Sequence, residues 1–386
     1  MPDLHRLYRY VGPADIRAHS KGLPPGRPVQ NLEGLVAVLA ELGGARAHEL
    51  TSTYVVDDAG TLRLADRSSE HVACAGNRAV FAAGEITFAT DGAILEVSNQ
   101  STGFCPEPSC WAALASALDA ANIERPEGWT AAFEFRRCDA CGTRNLVKDE
   151  YFECASCGAA LSERWNFDTA RCSRVRGRVG NRSWRIDVIE EAGALNQDRA
   201  GLHVEANELS VALADGAGGG GGGAEAAELV ARAAPRVVAG PQALVELLQE
   251  LDVQCARAGG SSAGLVLRLS ADGGLTGASV GDCQLWSDHQ GTWRELSEHQ
   301  VRKPLLGSGA AQPVPFAAFD VEGFIAGTDG LFNYVRWNTV ERILAANDPE
   351  EGWRLIDAAR LPTGALPDDV CIVTGRVEDA RSFAER

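Results

Sequence analysis

The chain has 386 residues, 45% of them hydrophobic and 23% charged, with a net charge of −17. That length supports two or three domains with cores of their own, and the composition excludes wholesale disorder. The acidic excess argues against a general nucleic-acid or anionic-membrane surface.

No apolar run reaches the roughly 18 residues of a spanning helix. The N-terminal stretch Met1–Tyr10 carries His5, Arg6 and Arg9 without an apolar core, so it does not read as a secretory signal. The expected location is cytoplasmic, with no membrane and no nucleic acid as partner. The 11 cysteines are an odd number, and four of them stand in C-x-x-C pairs, which suits a reducing compartment better than a disulfide framework.

In chain order, the first predicted elements are a helix over Asn31–Leu42 and short strands at Ser52–Asp57, Thr61–Ala65, Ala79–Ala83, Glu85–Ala89 and Ala93–Val97. A helix at Trp111–Ala121 follows. Residues 1–135 read as an N-terminal α+β domain. Two polar clusters mark it. His71, Cys74, Cys105 and Cys110 could form a metal site, and His71, Cys74 and Glu85 a Cys–His nucleophile. The plain alternative is that these cysteines are buried small residues. The run Ser98–Thr102 is a candidate ligand loop.

Residues 136–165 hold Cys138, Cys141, Cys154 and Cys157 in the pattern C-x2-C-x12-C-x2-C. Each pair can sit on a tight turn, with Gly142 and Gly158 supplying left-handed backbone. Four thiolates with no open position suit a structural, tetrahedral Zn2+, so a zinc-ribbon-like element is expected. Residues 166–183 are a basic stretch, with six arginines between Thr169 and Ile186 and no acidic residue before Asp187. It reads as a linker or edge strand, or else as a phosphate- or partner-binding patch.

From Trp184 onward, strands are predicted at Trp184–Ile189, Leu209–Ala214, Gly264–Ser270, Thr276–Ser287, Gly323–Thr328 and Val370–Val377. Helices are predicted at Ala224–Ala234, Pro241–Ala256, Asn338–Ala346 and Glu350–Ala359. Consecutive strands argue for antiparallel sheets, and the two helix pairs argue for layers covering them. Acidic residues stand where these strands stop: Asp198, Asp215, Asp282, Asp329 and Asp368-Asp369. Clustered carboxylates cannot all ionise without cations, and an all-oxygen set suits Mg2+ or Mn2+. The glycines from Gly216 to Gly223 could cradle a phosphate before a helix, but the spacing fits neither a P-loop nor a dinucleotide fingerprint.

The ordered segments Asn196-Gln197-Asp198, Val211–Gly219, Val280-Gly281-Asp282-Cys283, Gly327–Phe332 and Asp368-Asp369-Val370 resemble the motifs of type 2C metal-dependent protein serine/threonine phosphatases. The resemblance covers about residues 184–377, and Leu296–His299 with Leu305-Leu306-Gly307 adds to it. It implies an α-β-β-α sandwich of two antiparallel sheets flanked by helices, over a domain at 184–380, making the whole chain α+β. It also implies two Mn2+ or Mg2+ ions and a weaker third. Asp215 would bridge two ions, the carbonyl of Gly216 would hold the second, and Asp329 and Asp368 the first. Asp198 would bind through water, and Asp282 would help hold the third.

The implied reaction is hydrolysis of phosphoserine and phosphothreonine on protein substrates by a metal-bridged hydroxide. Catalytic candidates are therefore Asp198, Asp215, Asp329 and Asp368. Two positions depart from the family. Gln197 stands where Glu is frequent, and Gly193 stands where an arginine grips substrate phosphate. Arg199 or the basic stretch would have to replace that grip. A metal-bound water, His203, His289 or His299 would have to supply the general acid. The alternative is a phosphatase-like binding or regulatory module with little turnover; a third reading places an independent enzyme in the N-terminal domain.

Overall fold

A computed structural model describes residues 4–43, 49–205, 208–218, 222–234 and 240–378. The chain forms two compact units, His5–Thr169 and the residues from Ala170 onward together with Leu4.

The first unit contains β1 (His5–Arg6), α1 (Ala14–His19), β2 (Arg27–Val29), α2 (Leu32–Gly43), β3 (Glu49–Asp57), β4 (Leu62–Asp66), α3 (His71–Cys74), β5 (Val80–Ala89), β6 (Ile94–Val97), α4 (Trp111–Ala120), β7 (Glu134–Arg137) and β8 (Arg144–Val147). Strands β2-β4-β3-β5-β6 make one antiparallel sheet, and β7-β8 a small hairpin. The two strand candidates at 79–83 and 85–89 are one strand, β5, in which Gly84 stays in the ladder opposite Tyr54.

The second unit contains β9 (Arg171–Val179), β10 (Arg182–Glu191), β11 (Arg199–Glu205), β12 (Glu208–Ala217), α5 (Gly222–Ala231), α6 (Pro241–Ala258), β13 (Ser261–Ser270), β14 (Leu275–Val280), β15 (Gln284–His289), β16 (Thr292–Glu295), β17 (Val314–Ala318), β18 (Gly323–Gly327), α7 (Asp329–Phe332), α8 (Trp337–Ala345), α9 (Glu351–Ala359) and β19 (Val370–Glu378). Two antiparallel sheets result, ordered β9-β10-β19-β18-β15-β16 and β11-β12-β13-β14-β17. Trp184, Ile186, Phe324 and Val373 of the first sheet share a buried core with Val211, Leu213, Leu265 and Leu267 of the second. The alternate residues Ala212, Ala214 and Val266 pack outward under Val230, Leu244 and Leu248 of α5 and α6. Both faces of β12 are therefore covered, which is why Val211–Ala214 reads as a continuous apolar run. The α+β class and the α-β-β-α sandwich expected from the sequence are both present. No helix among the described residues is long and apolar enough to cross a membrane.

The basic stretch is not a linker: residues 171–179 are β9, paired along its length with β10. Its charges are partnered from distant parts of the chain. Arg174 is 1% exposed; its Nε donates to Asp187 at 2.5 Å and its Nη2 at 2.8 Å, and Nη2 also donates to the Pro349 carbonyl. Arg185 pairs with buried Glu351, and Arg176 with Glu378. A buried charge is tolerable only when paired and hydrogen-bonded, so these arginines fasten α9 and β19 to β9 and β10.

Candidate active site

The acidic residues reach one end of the sandwich because the chain repeatedly stops or crosses between sheets there. Asp198 lies where the chain passes from β10 in one sheet to β11 in the other. Asp282 lies at the crossing from β14 to β15. The sequence suggests one strand over Thr276–Ser287, but Gly281, at φ +96°, breaks it. A Cβ at Gly281 would stand 2.4 Å from the Cβ of Ala263, so only glycine fits the crossing. Ala263 pairs in turn with Asp215 at the end of β12. Asp215 thus lies opposite Ala263, against which Gly281, the residue before Asp282, packs. Asp329 follows the end of β18, and Asp368 precedes β19, its neighbour in the first sheet.

Each of these five carboxylates is half-buried. Burial pushes the Asp215 carboxyl up to about 9, and the charges of Asp198, Asp329 and Asp282 add to the rise. Asp198 is pushed up to about 7, chiefly by burial, then by Asp369, Asp368 and Asp329, against a hydrogen bond from Thr328. Asp329 is raised by burial and by Asp368 and Asp282; a hydrogen bond with Asp215 and the charge of Arg302 oppose this. Without cations, then, the cluster holds protons that isolated aspartates would release. Asp198 Oδ2 is buried and has no hydrogen-bond partner. An orphaned carboxylate oxygen among mutually repelling acids fits a site for divalent cations with oxygen ligands.

Two residues have supporting roles that the sequence reading did not assign. Asp369 is buried, and its carboxylate accepts the backbone N–H of Gly193 at 2.6 Å and of Gln197 at 2.5 Å. It clamps the loop that presents Asp198. Thr328, fully buried, donates N–H to the Cys371 carbonyl at 3.0 Å, and its Oγ1 accepts the Cys371 N–H at 3.0 Å, locking β18 to β19 beside Asp329. Both lie in the motifs Asp368-Asp369-Val370 and Gly327–Phe332, but nothing local marks the bonds they make.

Gly193 cannot be treated as a vacant arginine position. A Cβ there would stand 2.6–2.9 Å from backbone atoms of Asp368 and Asp369, so any side chain would push the Asp368 turn aside. Gln197 is buried, and its Nε2 donates to the Gly218 carbonyl at 3.1 Å. The glycine run falls partly outside the described residues, at 219–221. Arg199 donates to the carbonyls of Asn196 and Asp198 and lies 3.6 Å from Glu228. His203 stands 3.1 Å from Glu205, His289 meets the Asp320 carbonyl, and His299 is 83% exposed beside Glu298. The structure thus gives each histidine a partner other than the aspartate cluster.

In the first unit the four cysteine sulfurs lie within 4.8 Å of one another and could hold a metal ion. Cys138–Cys157 and Cys141–Cys154 both stand at 3.6 Å. The two turns match: Gly142 donates N–H to the Cys138 carbonyl and Gly158 to that of Cys154, at φ +74° and +72°. Among the described residues the aspartates do not gather to the same spacing. His71, Cys74, Cys105 and Cys110 do not form a second centre. His71 Nε2 meets the Gly84 carbonyl, Cys74 Sγ donates to the Arg63 carbonyl and Cys105 Sγ to that of Thr102. Burial pushes the Cys74 and Cys105 thiols up to about 12, far from thiolate nucleophiles. In the polar run, buried Asn99 bonds Pro106 and Phe133 backbone, which is a structural task.

No protein-family model matches the chain, and no curated protein matches it. Among solved structures it is similar to a bacterial serine phosphatase, at 16% identity over 50% of this chain and 97% of that one, with a TM-score of 0.44. A serine/threonine phosphatase from Staphylococcus aureus aligns at 16% identity over 53% of this chain and 97% of its own, TM-score 0.44. One from Mycobacterium tuberculosis aligns at 20% identity over 51% and 99%, TM-score 0.41.

Proposed function

We propose that residues 170–378 hydrolyse phosphoserine and phosphothreonine esters on proteins, with Mn2+ or Mg2+ held by the aspartate cluster. The carrying observation is that five separated acidic motifs converge at one end of the sandwich, where burial and the neighbouring charges raise the Asp215, Asp198 and Asp329 carboxyls and Asp198 Oδ2 has no partner. Asp215, the Gly216 carbonyl, Asp329 and Asp368 would hold two ions, with Asp198 acting through water and Asp282 serving a weaker third. Such ions, when bound, lower the pKa of water and offset the charge of a phosphate ester. The chain's own part is to keep that end rigid: Asp369 fixes the Gly193–Gln197 backbone and Thr328 fixes β18 against β19.

One observation favours the second reading, a binding module with little turnover: backbone fills the space beside Gly193. Phosphate release from a phosphoserine peptide separates the two. The enzyme reading expects release with Mn2+ or Mg2+ and none with chelator. Binding of the peptide without release in either metal would favour the module.

In the first unit, four thiolates in matched turns support a structural Zn2+. Among the described residues no disulfide joins any of the 11 cysteines, which supports a reducing, cytoplasmic setting.

A further inference from the structure

A phosphate monoester dianion approaching five carboxylates needs positive charge from the protein as well as from cations. The Gly193 position cannot provide it, and Arg199 is spent on backbone carbonyls and Glu228. The segment Val301–Leu306 is tied to the strands that carry the acids. The Val301 carbonyl accepts the Gly281 N–H at 3.0 Å, one residue from Asp282. Leu306 exchanges both backbone hydrogen bonds with Ser262, whose Oγ donates to the Asp215 carbonyl at 2.8 Å. Asp252 accepts the N–H groups of Gly307, Gly309 and Ala311 and holds the segment's far side.

Arg302 stands between these two ties. It is exposed, and among the described residues it has neither an ion-pair nor a hydrogen-bond partner, although its charge reaches Asp329. The next residue, Lys303, is likewise exposed and unpartnered among the described residues. An unpaired guanidinium whose charge reaches Asp329, on a backbone tied to the strands that carry the acids, is suited to receive an anion.

We propose that Arg302 grips the phosphate of the bound phosphoester, in place of a side chain at position 193; this rests on the phosphatase reading of the site. The backbone ties at Val301 and Leu306 hold the residue beside the strands that carry the acids, and its planar fork can take two phosphate oxygens at once. Lys303 adds charge at the rim.

The test uses the full chain with Mn2+, and follows in the same samples the binding of a phosphoserine peptide and of inorganic phosphate by calorimetry, and phosphate release. Arg302→Ala is expected to weaken both bindings by about tenfold to a hundredfold. Arg302→Lys should recover part of the loss, because the charge remains without the fork. Arg294→Ala, which removes an exposed arginine elsewhere, should change binding less than about twofold. Lost binding in Arg302→Ala supports the grip even if the wild type releases no phosphate, in which case the hydrolysis reading falls alone. Unchanged binding in Arg302→Ala overturns the grip, and if release persists the hydrolysis reading survives it. A wild type that binds neither probe overturns both.

Discussion

Asp215→Asn is expected to lower metal-dependent phosphate release by about a hundredfold or more, and Asp329→Asn likewise, because each removes a charge at the centre of the cluster. The same change is expected to raise the thermal stability of the metal-free chain at pH 8. The sign follows from proton counting. The folded Asp215 carboxyl sits at about 9 against an ordinary value of 3.8, so between these values the folded chain holds a proton that the unfolded chain has released. Stability therefore falls as pH rises through that window. Asparagine cannot ionise and removes this penalty. The gain should appear as a higher melting temperature, at about 2–4 °C per kcal/mol for a unit of this size, and should vanish near pH 4. Wild-type turnover in Asp215→Asn would remove this residue from the site. A melting temperature unchanged at pH 8 would contradict the argument from burial and neighbouring charge.

The second large effect concerns the four-cysteine element. Cys138→Ser with Cys154→Ser takes one ligand from each matched turn, and both side chains also pack with Leu161 in a small apolar cluster. That cluster is too small to fold the segment alone, whereas structural zinc contributes about 10–16 kcal/mol of apparent binding energy. The full-length double variant is expected to lose one equivalent of zinc by metal analysis. Amide hydrogen exchange across residues 134–161 should become fast, while that of β12 and β13 stays slow. Zinc content and protection equal to the wild type would eliminate the metal as the organiser of this element.

The parts of the site visible in the sequence were those carried by local chemistry. Asp-Gly and Gly-Asp pairs at the ends of apolar runs announce strand ends, and C-x-x-C-Gly announces a turn. What was not visible depends on partners far along the chain. The arginines of β9 and β10 look like a solvated linker until Asp187, Glu351 and Glu378 are seen beside them. Gly281 looks like an ordinary strand residue until Ala263 is seen to leave no room for a Cβ. Gly193 looks like a missing arginine until the backbone of Asp368 and Asp369 is found filling the space. Asp369 serves the loop at 193–197 across more than 170 positions. Arg302 gains its meaning from where Val301 and Leu306 are tied, which no periodicity records.

The central claim is that the acidic end of the sandwich is a divalent-cation site, and a calorimetric titration of the zinc-loaded chain with Mn2+ at pH 7.5 tests it most directly. The account predicts saturable binding of about two ions with release of protons, since the raised carboxyls of Asp215 and Asp198 must ionise to bind them. Asp329→Asn should bind fewer ions more weakly. No saturable binding, or binding unaltered by Asp329→Asn, would contradict it.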